Sequence, residues 1–204
     1  MADFLIAETN EDGNSEGTDE LVTPSQATFT IFYLGYFSVG SGDIDHDGAW
    51  IFRGTGIPQG ATILSCVVTL TLNGLDTQSG SPQGDWYGFA VDSPSDFNAL
   101  DTHRISDHHA RTTASVAGTI PASTDPYVSP SLVTIAQEIV NRAGFAGDLG
   151  FTWRNTGTTP NVWWPWVDFT NSTTACAKLT ITWQVPSAKA LLWAPASMRH
   201  MLVR

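Results

Sequence analysis

The chain has 204 residues, of which 42% are hydrophobic and 14% are charged. This length and composition are typical of a globular domain that buries a core without disulfides or metal, and they exclude an intrinsically disordered chain. The net charge of -11 argues against nucleic acid as a partner, because phosphate contacts need clustered Lys and Arg. No apolar run is long enough to form a transmembrane helix.

Most of the predicted elements are β-strands, which follow an acidic N-terminal arm or first strand over residues 1–27. Period-2 segments rich in Thr, Val, Ile and aromatic residues lie at 28–37, 49–53, 61–73, 86–92, 112–118, 148–154, 162–169 and 175–184. Clusters of Gly, Ser, Asp, Asn and Pro, such as 40–48 and 74–85, predict loops between them. Because no alternation of strands with helices is visible, the sequence predicts an all-β sandwich or jelly roll.

The acidic segment DIDHDG at 43–48 copies the first half of a calcium-binding loop. Asp43, Asp45 and Asp47 stand at alternate positions, and Gly48 follows them as a turn residue. Position twelve of such a loop is Gly54 where a bidentate Glu is required, so the segment is not an EF-hand. A looser Ca²⁺ site and a solvated acidic turn both remain open, and we expect no other cofactor.

The two cysteines lie in strand patterns of opposite phase. In the segment 61–73 we expect the apolar phase to point inward, and it contains Leu64, Cys66, Val68, Leu70 and Leu72. In the segment 175–184 the apolar phase begins at Ala175 and leaves Cys176 on the other face. The sequence therefore predicts a buried Cys66, a surface or interface Cys176, and no disulfide between them.

Residues 101–111 gather side chains that serve as zinc ligands or as acids and bases. The residues concerned are Asp101, His103, Asp107, His108 and His109. Their spacing fits no zinc pattern, and adjacent histidines in a strand face opposite ways. We therefore favour a polar surface loop here.

One segment, 129–144, breaks the β pattern and predicts an amphipathic helix over about 130–142. Ser129 is a suitable N-cap, Pro130 fits the first helical position, and Gly144 is a suitable end. Its apolar residues recur at helical spacing, so we expect the helix to pack on the sandwich and cover an open end of the core.

The segment VWWPWVDF at 162–169 is the densest aromatic cluster of the chain. Pro165 predicts an edge strand or a bulge. Trp163, Trp164 and Trp166 cannot all point inward along one strand, so a glycan-stacking surface, a subunit contact and second-layer packing all remain open. We favour packing or subunit contact, because few acids and amides lie nearby.

Four blocks of the sequence resemble a known family, and they occur in the same order as in that family. The blocks are RGTGIPQGATILSCVVTLTL at 53–72, RTTASV at 111–116, YVSPSLVTIAQEIVNRAGF at 127–145 and KLTITW at 178–183. They resemble the jelly-roll β-sandwich module of bacterial extracellular proteins, some carbohydrate-binding modules and structural proteins of tailed-phage particles. The resemblance implies the fold and no catalytic residues. This chain departs from the pattern at Ala143, Phe145 and Gly118, where the family prefers Pro, Trp and an aromatic residue.

The C-terminal tail differs from the preceding domain in charge. Residues 1–184 contain all 20 Asp and Glu but six of the nine Lys and Arg, which gives -14, whereas residues 185–204 carry +3. Such an apolar, basic tail is suited to anchor the chain on a partner subunit. The predicted anchor residues are Leu191, Leu192, Trp193, Met198, Arg199, Met201, Leu202 and Arg204.

The N-terminus has no basic segment followed by a long apolar run, so the sequence predicts synthesis in a host cytoplasm without a signal peptide. Combined with the resemblance, this predicts a non-enzymatic virion protein of a phage: a capsid-decoration, head-fibre or tail-associated subunit. We expect its partners to be other virion proteins and further copies of itself, with no nucleic acid and no membrane. A carbohydrate-binding or adhesin module that uses the Trp163–Trp166 surface is the second hypothesis. A hydrolase is a distant third, because no nucleophile or metal motif is present.

Overall fold

The computed structural model describes residues 2–6, 12–16, 22–24, 31–39, 42–73, 80–97, 105–122, 125–167 and 171–185. For residues 12–16, 22–24, 31–32, 37–39 and 42–44 it describes the backbone alone. The predicted anchor residues of the tail, from Leu191 to Arg204, lie outside the described residues.

The described chain folds into strands and a single α-helix. The strands are β1 (Ala2–Leu5), β2 (Asp12–Glu16), β3 (Val22–Pro24), β4 (Ile31–Val39), β5 (Gly42–Phe52), β6 (Thr62–Leu70), β7 (Gly84–Gly88), β8 (Val116–Ala117), β9 (Tyr127–Val128), β10 (Leu149–Asn155), β11 (Val162–Val167) and β12 (Lys178–Gln184). Helix α1 spans Val133–Val140, and a short 3-10 helix spans Ile105–Asp107. None of the helices in this described part is long and apolar enough to cross a membrane.

The strands form two antiparallel sheets that enclose the main core. The smaller sheet has the order β1-β12-β6-β9, and the larger has β11-β4-β5-β10-β7-β8, with β2 paired to β5 and β3 paired to β2. Four strands of the larger sheet, in the order β5-β10-β7-β8, pack against the four strands of the smaller sheet, β1-β12-β6-β9. The remaining strands of the larger sheet, β2, β3, β4 and β11, lie outside these two layers. The chain crosses between the sheets from β1 to β5, β5 to β6, β6 to β7, β8 to β9, β9 to β10 and β10 to β12. Two four-stranded layers connected in this way form a jelly roll, which confirms the predicted fold class.

Tryptophan rings fill much of the space between the sheets. Trp50 and Trp86 pack with ring centroids 5.2 Å apart, and the Trp153 indole N–H donates to the carbonyl of Gly118 at 2.7 Å. A Cβ at Gly118 would lie 2.3 Å from Cδ1 of Trp86. The Trp86 ring already occupies the volume beside Gly118, so a side chain at position 118 does not fit.

The outer face of the larger sheet is covered by a second apolar layer. Its residues form a small buried cluster, made of Ala49, Ile51, Phe89, Phe97 and Ile105. Phe89, Phe97 and Ile105 come from the segments 89–97 and 105–109, which lie over β5 and β10. Most residues of β10 are consequently buried on both faces, so buried and exposed residues do not alternate along this strand.

The helix is shorter than predicted and begins at a different place. Ser129 does not cap it: its hydroxyl accepts from the Val68 N–H at 2.9 Å and donates to the Pro130 carbonyl at 2.9 Å. The chain instead continues along β6, and the Leu132 N–H donates to the Cys66 carbonyl at 2.8 Å before the helix begins. The amphipathic character is confirmed, since the buried helix residues are Ile135, Ala136, Ile139 and Val140.

Two further expectations were wrong for reasons of tertiary structure. Residues 42–48 form the first part of β5, not a loop, because β4 and β2 supply its backbone hydrogen-bond partners along one edge. Cys176 is buried, because β12 begins at Lys178 and the strand phase does not extend to the turn before it. Cys66 is buried as predicted, and Cys66 and Cys176 form no disulfide.

Candidate functional site

The two described carboxylates of β5 accept hydrogen bonds from neighbouring elements. Asp47 is fully buried, and its two oxygens accept from the Ser106 hydroxyl at 2.7 Å and from the Asn155 N–H at 2.8 Å. Asp45 accepts from the Asn155 side-chain amide at 2.7 Å. Asp43 lies in the same strand, and its side chain is outside the described part. In that described part no three His, Cys, Asp or Glu side chains are placed to hold a metal ion, and the suggested Ca²⁺ loop is instead strand.

His46 stands between Asp45 and Asp47 in the sequence of β5. It is buried, its ring packs 5.6 Å from that of Tyr33, and its Nδ1 has no hydrogen-bond partner among the described residues. Burial lowers the pKa of His46 from its ordinary value of 6.5 to about 4, although the nearby Asp45 acts in the opposite direction. The imidazole is therefore a neutral core group at physiological pH.

The two adjacent histidines of segment 101–111 lie together instead of facing opposite ways. The rings of His108 and His109 are 4.4 Å apart, because they follow the 3-10 helix in a bend and not in a strand. The Ser95 N–H donates to Nε2 of His109 at 3.1 Å, and the rings pack against Phe89 and Phe97 at 5.1 Å. These histidines thus help to fix the layer over the larger sheet.

The other members of that cluster are not assembled into a site by the described chain. Asp107 forms an ion pair with Arg111 at 3.4 Å, one turn further along the chain. Asp101 and His103 lie outside the described residues.

The tryptophans of β11 are mostly core residues. Trp164 and Trp166 are 4% and 1% exposed, and the Trp164 indole N–H donates to the Gly80 carbonyl at 3.1 Å. Trp163 is half-buried and meets the Tyr33 ring edge-on at 4.6 Å. A surface formed by all three tryptophans, one of the alternatives left open by the sequence, is not present in this strand, because the Trp164 and Trp166 rings lie in the core. Pro165 predicted an edge strand or a bulge, and among the described strands β11 is the terminal strand of its sheet, with an isolated bridge from Trp166 to Leu72 on its other side.

A small groove lies beside β4 and the segment that follows β10. Its enclosed space is about 10 Å³, roughly the room of one water molecule, and its lining includes Tyr36, Gln83, Asn155 and Thr159. Pockets for small organic ligands usually measure about 300–1,000 Å³. This groove is below that range, so we do not base a function on it.

The outer face of the four-stranded sheet differs from the covered face of the larger sheet. We call it the open face, and define it by the outward residues Asp3, Leu5, Leu64, Ser65, Val67, Thr69, Val128, Lys178, Thr180 and Thr182. Strand register aligns Leu5, Lys178, Thr69 and Val128 in one row across all four strands. Asp3, Thr180 and Val67 form the next row.

The large apolar residues that the described chain exposes are concentrated at this sheet. Leu5 is 41% exposed, Leu64 58% and Val128 51%, and Val185, just after β12, is 58% exposed. Single exposed apolar residues are ordinary, but three of these four lie on one sheet face, separated by Thr, Ser and Lys residues, which makes this face the best candidate for an interaction surface among the described residues. The open face is therefore the candidate functional site.

Sequence periodicity assigned Leu64 to the core, and the structure corrects this. A register shift between Thr182 and Trp183 places Ser65 opposite Thr182 and Ile63 opposite Trp183. Ile63 takes the inward position, and Leu64 is turned to the surface. The adjacent apolar pair Ile63 and Leu64 was the only signal of this in the sequence, and it could not identify which of the two lies outside.

Several polar groups of the open face interact with one another. The Thr180 hydroxyl donates to Asp3 at 2.7 Å, and the hydroxyls of Ser65 and Thr182 are 2.6 Å apart. Lys178 Nζ lies 3.7 Å from the other oxygen of Asp3. The face therefore carries one charge of each sign and no net charge.

The chain matches no known family model, and a search of curated proteins found no similar sequence.

Proposed function

We propose that this protein is a structural subunit of a virus particle that acts by protein–protein assembly. The observation that carries the proposal is the open face: a sheet surface with no net charge on which Leu5, Leu64 and Val128 are exposed. Burying such side chains against a partner removes apolar area from water, which is the main driving force of stable association.

The fold is compatible with this role. Jelly rolls are common in viral capsid and lectin domains. Fold alone does not determine function, so the choice between these classes depends on the surfaces. The blocks at 53–72 and 127–145, which resemble tailed-phage structural proteins, favour a capsid-decoration, head-fibre or tail-associated subunit.

The second hypothesis, glycan binding, required exposed tryptophan rings on β11. Sugar rings stack on exposed aromatic faces, and Trp164 and Trp166 are buried. The polar clusters proposed from the sequence are likewise engaged in the fold, as with Asp47 beneath the 3-10 helix and His109 on the Ser95 backbone. We therefore favour assembly over both sugar binding and catalysis.

The test asks whether the chain is part of a particle. Particles are purified on a density gradient from lysed cells that encode the chain, and the chain is quantified by mass spectrometry in each fraction. We expect it in the particle fraction at a fixed ratio to the main particle protein. Its presence only among free proteins at the top of the gradient would overturn the proposal.

A pair of variants tests the role of the open face in the same experiment. Leu64→Lys places a positive charge on the open face, and Thr158→Lys places the same charge on an exposed residue after β10, away from the open face. We expect Leu64→Lys to lower incorporation at least about tenfold, as loss of an interface contact of ordinary strength does, and Thr158→Lys to leave it unchanged. Equal incorporation of both would mean that the face is not the assembly surface.

The tail can be tested separately with a chain that ends after Gln184. If the tail is an anchor, this chain retains its fold and loses incorporation. Full incorporation of the shortened chain would exclude the anchor role and leave the open face as the proposed contact.

A further inference from the structure

We propose that the occupant of the open face is a second copy of this chain, so that two four-stranded sheets stack about a two-fold axis. The inference rests on the proposed function, because it names the first partner of the assembly surface. It follows from the size, the hydrogen bonding and the charge of the face.

The face has the dimensions of a small specific interface. The four strands of the face have 4, 7, 9 and 2 residues in the order β1-β12-β6-β9. At about 3.3 Å per residue and about 4.8 Å per strand the footprint is roughly 350 Å², and the accessible area of its side chains is larger. This corresponds to the small, reversible end of specific interfaces.

Several polar groups of the face already have hydrogen-bond partners within it. The hydroxyl pair of Ser65 and Thr182 and the Thr180–Asp3 hydrogen bond lie within the face. Burial of groups that already have partners avoids the penalty of stripping them of water. Between them, Leu64 and Val128 provide the apolar contact that would pack against the facing sheet.

The charges of the face match those of a second copy. Lys178 and Asp3 lie side by side on β12 and β1 and form the ion pair of the face. A two-fold axis that lies in the plane of the face and passes between them places Lys178 of each copy over Asp3 of the other. A two-fold interface requires this kind of self-complementarity.

Charge also limits the other ways in which two copies can meet. Residues 1–184 carry a net charge of -14, so most directions of approach bring like charges together. The open face has no net charge. It thus allows contact between copies without concentrating repulsion at the interface, and offers nothing that would select a strongly acidic or basic partner.

The experiment measures the mass of the purified full chain by sedimentation velocity over concentrations up to about 1 mM, where a weak contact is populated. We expect a reversible monomer–dimer equilibrium. Lys178→Asp makes the charges of the face both negative, and Asp3→Lys makes them both positive. Each single variant should raise the dissociation constant of its own dimer at least tenfold, and an equimolar mixture of the two should form a heterodimer at least as tight as the wild-type dimer.

Two controls separate loss of contact from loss of fold. Thermal unfolding of each variant should match the wild type, since an exposed ion pair contributes little to stability. Thr158→Lys should keep the wild-type dissociation constant, whereas Leu64→Lys should raise it at least tenfold without changing the fold.

Three results would each overturn the inference. The wild-type chain could stay monomeric at every concentration, Leu64→Lys could leave the dimer unaffected, or the mixture of charge variants could form no heterodimer. These results are distinct from failure of the proposed function. If the chain is monomeric but Leu64→Lys still removes it from particles, a different particle protein occupies the face, and the structural role stands without the two-fold contact.

Discussion

Asp47 and Asn155 join two strands of the larger sheet inside the protein: an oxygen of the buried Asp47 carboxylate accepts the Asn155 N–H at 2.8 Å. The other oxygen accepts the Ser106 hydroxyl at 2.7 Å, which ties the 3-10 helix to the same point. A carboxylate that the sequence presents as a cation ligand thus serves as an acceptor for two parts of the fold.

Replacing Asp47 by Ala should lower the free energy of unfolding by about 3–5 kcal/mol, because the buried donors of Ser106 and Asn155 lose their acceptor. Urea denaturation of both proteins measures the difference. Ser106→Ala removes one donor and should cost about 1–2 kcal/mol. A loss below about 1 kcal/mol for Asp47→Ala, or a large Ca²⁺-dependent rise in the wild-type melting temperature that this variant abolishes, would contradict the structural role.

His46 should make the stability fall in acid. Its pKa is about 4 in the folded chain and near the ordinary 6.5 in the unfolded chain, because burial disfavours the charged ring. As the pH falls, the His46 ring therefore takes up a proton in the unfolded state before it does so in the folded state. This group should have no effect above about pH 7, reduce stability between about pH 6.5 and 4, and reach a total loss of about 3 kcal/mol below that.

The matched variant for that prediction is His46→Phe, which keeps a ring at this position and cannot titrate. The unfolding free energies of the wild type and the variant are measured from pH 4 to 8. Their difference should change with pH between 6.5 and 4 and be constant above 7. A difference that is independent of pH over the whole range would show that His46 does not titrate as proposed.

Trp164→Ala should act on stability. Loss of a buried indole that packs in the core and donates to the Gly80 carbonyl should cost about 3–5 kcal/mol. Trp163→Ala, which removes a half-buried ring at the surface, should cost about 1–2 kcal/mol. Thermal denaturation of both variants gives the comparison, and equal small effects would mean that Trp164 is not the core residue described.

Gly35 should be far less tolerant of substitution than Gly54. Gly35 has a φ of 131°, and a Cβ there would lie 2.2 Å from the Val162 carbonyl oxygen on β11. Gly54 also has a positive φ, of 60°, but a Cβ there would meet nothing within 4 Å. Gly35→Ala should cost more than about 3 kcal/mol by separating β4 from β11, and Gly54→Ala about 1 kcal/mol from backbone strain alone. Similar losses at both positions would contradict the close β4–β11 approach.

Local patterns in the sequence were sufficient for the fold class and for several positions within it. Alternation predicted most of the long strands, helical spacing predicted the apolar face of α1, and Pro165 predicted the edge strand. Each of these follows from short-range geometry: a period of two or 3.6 residues, or a missing backbone N–H. The buried Cys66 was predicted in the same way.

Tertiary structure decided the features that depend on the partner of a strand or on a distant segment. The register shift opposite Thr182 turned Leu64 outward, although its own sequence reads as core. A bend after the 3-10 helix brought His108 and His109 together, and the pairing of β5 made strand out of an apparent calcium loop. Sequence alone determined that this chain forms a β-sandwich, because periodicity is local. Which sheet face stays open, and therefore where a partner binds, was decided by how segments 89–97 and 105–109 cover the other sheet, which no local pattern encodes.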